Sequence, residues 1–220
     1  MKTILIFMAV LLVSALACGA CAENVTAKGN LGNSVSLYNE AIDLANAGDY
    51  DNALIKLDSA VSVNENFSLA YAAKSGVLVA TGDYESAVLS AKKAVAINPG
   101  QADAWVNMAT AYIALGRYSE GLSASESAIE LNPSDTGTLL NAWLNKGTAL
   151  GGLGRYEEEI EASEKAIAID PQDNRAWANK NYAKMMLENE AQASPMSGLA
   201  ALAGIFAVFA LLNRKKERFS

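Results

Sequence analysis

Five carboxylates crowd into eight residues at Glu157, Glu158, Glu159, Glu161 and Glu164, the densest group in the chain that could carry chemistry. Acids this close can share a proton or hold a cation. Neither use fits the surrounding sequence. On a helix successive carboxylates point in different directions, and no adjoining loop supplies the carbonyl oxygens that calcium requires. The run therefore reads as a solvated helix face. The chain also has no histidine, which removes the usual residues of zinc sites and of Ser-His or Cys-His catalysis. Its serines and threonines are scattered without an activating base. No catalytic residue, metal site, cofactor or small-molecule substrate is expected, and the chain does not read as an enzyme.

What the residues do repeat is a turn. Gly48-Asp49-Tyr50 returns at Gly82-Asp83-Tyr84 and, with arginine in the middle, at Gly116-Arg117-Tyr118 and Gly154-Arg155-Tyr156, at intervals of 34, 34 and 38 residues. Each triplet lies between two apolar patterns of helical period; Trp105, Met108, Ala109, Tyr112 and Ile113 precede Gly116, and Leu122, Ser125, Ala128 and Ile129 follow it. Glycine can take the left-handed conformation that ends a first helix. Asp49 and Asp83 are placed to cap the second helix; Arg117 and Arg155 cannot. The shared tyrosine reads as a wedge where the two helices of a hairpin meet. A fixed period of this length marks a stacked array, with repeats at 34–67, 68–101, 102–135 and 140–173. The four residues Thr136–Leu139 lengthen the last interval by about one helical turn, and 174–192 repeats only the first helix, as a cap. An open array of this kind encloses no pocket in which paired acids could work.

The residues resemble a known family. Trp105, Met108, Ala109, Tyr112, Gly116, Tyr118, Ala128 and Pro133 fall in the pattern of the tetratricopeptide repeat, as do Trp143, Gly147, Leu153-Gly154-Arg155-Tyr156 and Ala166-Ile167-Ala168-Ile169-Asp170-Pro171. The resemblance implies an all-α superhelix, an α-solenoid of four helical hairpins plus a C-terminal capping helix. It departs from the family at Glu65, where the first repeat lacks its proline, at Gly121, and at Glu159, which replaces a packed alanine. A carboxylate there is costly unless solvated or paired, and Gly151 and Gly152 offer it a way out to water. The family lines a concave groove with its first helices, and that groove holds an extended peptide or a partner helix. Carried over residue by residue, it places Asn39, Asn107, Asn145 and Asn179 against a ligand backbone, with Tyr38, Ile42, Leu69, Val106, Thr110, Leu144 and Thr148 around them and Arg175 the nearby cation. The implied partner is a protein or peptide. The lysine and arginine clamp that holds a C-terminal carboxylate in some members is absent.

The two ends point to a membrane. Residues 1–22 carry one cation, Lys2, an apolar run from Ile4 to Ala17 and the small-x-small sequence Ala20-Cys21-Ala22, the form of a secretory signal peptide; Cys18 or Cys21 bearing lipid is the alternative. Cleavage after Ala22 would remove both cysteines. Residues 23–33 read as a linker and 193–195 as another. Residues 196–212 contain no charge and form a transmembrane or sorting helix, and 213–220 carries Arg214, Lys215, Lys216 and Arg218 as a cytoplasmic tail. This topology exports the repeats and anchors them at the outer face of the cytoplasmic membrane. Asn24 and Asn66 stand in glycosylation sequons. Between Glu23 and Ser194, 12 Lys plus Arg face 23 Asp plus Glu, so this acidic segment repels phosphate and no nucleic-acid partner is expected.

Overall fold

The computed structural model describes residues 32–193, all of whose regular structure is helical. The leader, the sequon at Asn24, the apolar run 196–212 and the basic tail lie outside the described residues. Helix α1 occupies 32–46. It is followed by α2 (Tyr50–Val63), α3 (Ser68–Thr81), α4 (Tyr84–Ile97), α5 (Ala102–Ala114), α6 (Tyr118–Glu130), α7 (Thr136–Gly152), α8 (Tyr156–Ile169) and α9 (Asn174–Ala193). Odd-numbered helices are the first of each hairpin and even-numbered ones the second, and α9 is a first helix with no second helix after it among the described residues. Successive helices pack on each other, and α3, α5, α7 and α9 also pack in a row. The first helix already covers residues 32 and 33, which the sequence assigns to the linker, and α9 extends to Ala193.

The turn chemistry follows from the triplets. Gly48, Gly82, Gly116 and Gly154 all have positive φ, between 71° and 83°, a conformation that a β-carbon would strain. Asp49 accepts from Asn52 N at 3.3 Å and Asp83 from Ser86 N at 3.1 Å. In the later repeats the carboxylate moves three residues along, to Glu120 and Glu158, where the capping-position arginine grips it. Arg117 Nη2 lies 2.6 Å from Glu120 Oε1, and Arg155 holds Glu158 through two bonds of 2.6 Å. Either way an acid stands over the helix N-terminus, where the macrodipole favours it. The four extra residues give α7 17 residues against 13 in α5, and Asp135 caps the added turn by accepting from Thr138 N at 2.6 Å.

Small residues let the helices approach: Ala41, Ala53, Ala60, Ala70, Ala87, Ala94, Ala128 and Ala166 are fully buried. Two of the departures from the family pattern, Gly121 and Glu159, are compensated in volume inside their hairpins. At equivalent places α2, α4, α6 and α8 carry Ala53, Ala87, Gly121 and Glu159, and opposite them α1, α3, α5 and α7 carry Ala45, Val79, Ile113 and Gly151. A β-carbon on Gly121 would lie 2.8 Å from Ile113 Cγ1; one on Gly151 would lie 2.5 Å from Glu159 Oε2. Glu159 is thus not led out to water but buried, 2 % exposed, with Oε2 unpartnered, and its carboxyl fills the hollow over Gly151. Burial raises its pKa from 4.5 to about 7.

Two of the four turn tyrosines reach the next repeat, while Tyr84 packs against the cluster that contains Leu78 and Ala87 of its own hairpin. Tyr118 of α6 lies flat on Gly152 of α7, where a β-carbon would come within 2.5 Å of its ring, and Tyr156 of α8 meets Tyr182 of α9 edge-on at 6.2 Å. Tyr50, by contrast, is 38 % exposed. Tryptophan ties the array through its indole N–H: Trp105 and Trp177 donate to the Pro99 and Pro171 carbonyls, each at 2.9 Å. The four inserted residues separate Trp143 from Pro133; Trp143 lies beneath Lys146 Nζ at 5.7 Å, as Trp177 lies beneath Lys180 Nζ at 5.5 Å.

Candidate functional site

The face formed by the row of first helices carries the asparagines singled out by sequence, and three of them have a structural partner 31 to 39 residues back. Asn107 Nδ2 donates to Ala72 O and Ser75 Oγ, both at 3.1 Å. Asn145 Nδ2 donates to Val106 O at 3.2 Å and Thr110 Oγ1 at 2.8 Å; Asn179 Nδ2 donates to Leu144 O at 3.4 Å and Thr148 Oγ1 at 3.0 Å. In every case the hydroxyl donates to that same carbonyl, at 2.7 Å for Ser75 and 3.0 Å for Thr110 and Thr148. Carbonyl, hydroxyl and amide close a triangle, and the triangle joins one repeat to the next. Repeat two has Gly76 where repeats three and four have threonine; a β-carbon there would crowd Asn107 Nδ2 at 3.2 Å, so the hydroxyl comes from Ser75.

These bonds change what the asparagines can offer. Their amide nitrogens are engaged, so a ligand meets only the Oδ1 acceptors, held in fixed orientation because Nδ2 is anchored. Among the described residues no donor reaches Oδ1 of Asn107, Asn145 or Asn179. Asn39 has no earlier repeat to hold among the described residues and is exposed, and the register places Ala73 at the corresponding point of α3. Val106 and Leu144 are buried, at 8 % and 6 % exposure, within apolar clusters containing Ala128 and Ala166, so their side chains face neighbouring helices and not a groove. Tyr38 packs against Phe67 with ring centroids 5.4 Å apart. Thr148 and Leu69 are exposed, Thr110 and Ile42 half-buried. Arg175 is neutralised by Asp173, Nη2 to Oδ2 being 2.7 Å, and the guanidinium holds that carboxyl below its ordinary pKa. Asp103, exposed on α5 at the position equivalent to Leu69, accepts from Thr138 Oγ1 at 2.7 Å and meets no cation among the described residues, so the face is rich in acceptors.

Among the described residues no group of three or more acids is placed to hold a metal, and no helix is long and apolar enough to cross a membrane. Within the acid run, Arg155 takes Glu158, Lys180 takes Glu164, and Glu159 is buried.

Sequence models of the tetratricopeptide repeat match residues 38–102, 78–138 and 140–173, together more than half of the chain. The chain is a tetratricopeptide-repeat protein. No curated protein sequence matches it. Solved structures similar to this tetratricopeptide-repeat array include MamA of MSR-1, 20 % identical with a TM-score of 0.59 over 74 % of this chain and 91 % of that one. TTC0263, a thermophilic tetratricopeptide-repeat protein of Thermus thermophilus, is 18 % identical with a TM-score of 0.57 over 80 % and 99 %. The first such domain of human RPAP3 is 22 % identical with a TM-score of 0.52 over 58 % and 97 %. At these identities the likeness is one of fold.

One feature of the array was missed in sequence. An acid on each second helix pairs with a lysine on the next first helix at three junctions: Asp58 with Lys74, Glu126 with Lys146 at 2.9 Å, and Glu164 with Lys180 at 2.8 Å. At the remaining one the same places hold Lys92 and Met108. Aligning the four repeats column by column, and not only at their glycines, exposes this exception.

Proposed function

We propose that this tetratricopeptide-repeat protein is an exported, membrane-anchored scaffold that binds a peptide or partner protein along the face of its first helices. The observation that carries the reading is the ladder of Asn107, Asn145 and Asn179, each fixed through Nδ2 with its Oδ1 left to accept. Peptide N–H groups are the complementary donors, and an extended segment presents them at regular intervals. Fixed acceptors lose no side-chain entropy on binding, which favours capture of a chain that must itself become ordered. Membrane anchoring draws its support from the sequence of residues 196–220, and export from residues 1–22. The second reading, a spacer of the cell envelope without a separate peptide ligand, is favoured by the same triangles, since they spend the amide donors inside the array.

Peptide-library selection on the full chain separates the two. The scaffold predicts enriched peptides that lose affinity at least about tenfold for Asn39→Ala combined with Leu69→Ser, two exposed positions on this face outside the triangles. No enrichment, or peptides indifferent to both changes, would leave the spacer reading standing.

A further inference from the structure

The junction between repeats two and three differs from its neighbours in charge and in shape. Elsewhere a lysine lies over the junction and meets an acid. Here Met108 is buried, 5 % exposed, and Lys92 is exposed and makes no ion pair among the described residues. Its ammonium group stands 5.8 Å from the Tyr112 ring. Between α4 and α6, floored by α5, a cleft of about 320 Å³ opens, lined among others by Lys92, Val95, Trp105, Met108, Tyr112 and Glu120. The cleft is open and holds a single acid, Glu120. Its size is at the lower end of ligand sites, room for one large side chain and not for a length of peptide.

Charge narrows the occupant. Glu120 also faces the cleft, but Arg117 already holds it through Nε at 3.0 Å and Nη2 at 2.6 Å, and Arg117 itself stacks on Tyr112 at 4.6 Å. Lys92, whose charge is felt at Glu120 but which forms no salt bridge among the described residues, is left as the cation beside an aromatic and thioether floor, on a segment whose net charge is otherwise strongly negative. We infer that this cleft is a second docking site, which receives an aromatic or branched aliphatic side chain of a partner protein with a carboxylate beside it. The apolar group covers Trp105, Met108 and Tyr112, and the carboxylate pairs with Lys92. The inference does not rest on peptide capture by the first-helix face.

The test uses the full chain with nitrogen-15 in its tryptophan side chains, and N-acetyl-phenylalanine as probe. The Trp105 indole resonance, identified with Trp105→Phe, shifts saturably with a dissociation constant on the order of a millimolar, the strength a ligand of this size reaches. Lys92→Gln weakens the carboxylate probe roughly threefold to fivefold and leaves N-acetyl-phenylalaninamide unchanged. Lys92→Glu with Met108→Lys installs the ion pair of the other junctions, keeps the melting temperature, and weakens the probe more than about tenfold. Equal binding of acid and amide by wild type, unchanged binding by the folded double variant, or no saturable shift overturns the proposal. So does light scattering that finds a dimer dissolved by the probe, since the occupant would then be a second copy of this chain.

Discussion

Glu159 is a buried acid whose neighbours were chosen by volume, and its energetic consequence depends on pH. Unfolded, the carboxyl has its ordinary pKa of 4.5; folded, burial holds it near 7. Between those values the folded state binds the proton that the unfolded state has released, so stability falls as pH rises from about 4.5 to about 7. The decline attributable to this one group is on the order of 3 kcal/mol, complete above about pH 7. The exposed acids Glu40, Glu120, Glu158 and Glu164 have pKa values lowered by hydrogen bonds from their basic partners, and their contribution is lost at the other end, as pH falls below about 4.5. Urea unfolding of Glu159→Gln from pH 4.5 to 8 should therefore show a flatter profile than wild type above pH 4.5; an identical slope in the two proteins would place the titration elsewhere. The sequence shows that Glu159 breaks its column, and even that Gly151 is near. It does not show that the glycine makes a dry hollow and not a channel, because that depends on how closely α7 and α8 approach.

The helices are separable units whose junctions are written in single polar groups. The triangle at Asn145 satisfies three groups at once, and removing the amide leaves Val106 O and Thr110 Oγ1 still bonded to each other. Asn145→Ala should cost about 1 to 2 kcal/mol, near the lower range for a half-buried hydrogen bond, as read from the urea midpoint at constant slope. Asn39→Ala, with no repeat before it to tie among the described residues, should stay within about 0.5 kcal/mol. Equal costs for the two would mean that the triangles contribute nothing to coupling. Turn glycines, the caps at Asp49 and Asp83 and the extra turn of α7 were all legible in sequence, since each is fixed by residues a few positions apart. The double use of asparagine was not, because its partners stand 31 to 39 residues away and the residue type suits a ligand and a neighbouring carbonyl equally.

At the scale of the whole molecule, four agreeing registers made the solenoid readable from sequence, since in a repeat array each unit contacts its neighbours and period alone implies architecture. The proposed placement of the array is a separate matter, drawn from the sequence of residues 1–22 and 196–220. Protease added to intact, wall-permeable cells should degrade the segment 34–192 while a tag after Ser220 survives; survival of the repeats would refute export. Junctions, unlike periods, are individual, and the exchange at Lys92 and Met108 bears on how such a gene can change. Tandem repeats are prone to unequal recombination, which adds or deletes whole units. Deleting residues 102–135 would set Lys92 against Lys146, and duplicating 68–101 would set it against a second Lys74, in both cases like charges where every other junction has opposite ones. Duplicating 102–135 would bring Glu126 to Met108 without such a clash. A single reversed lysine thus biases the array against loss of its third repeat and leaves growth at that repeat open.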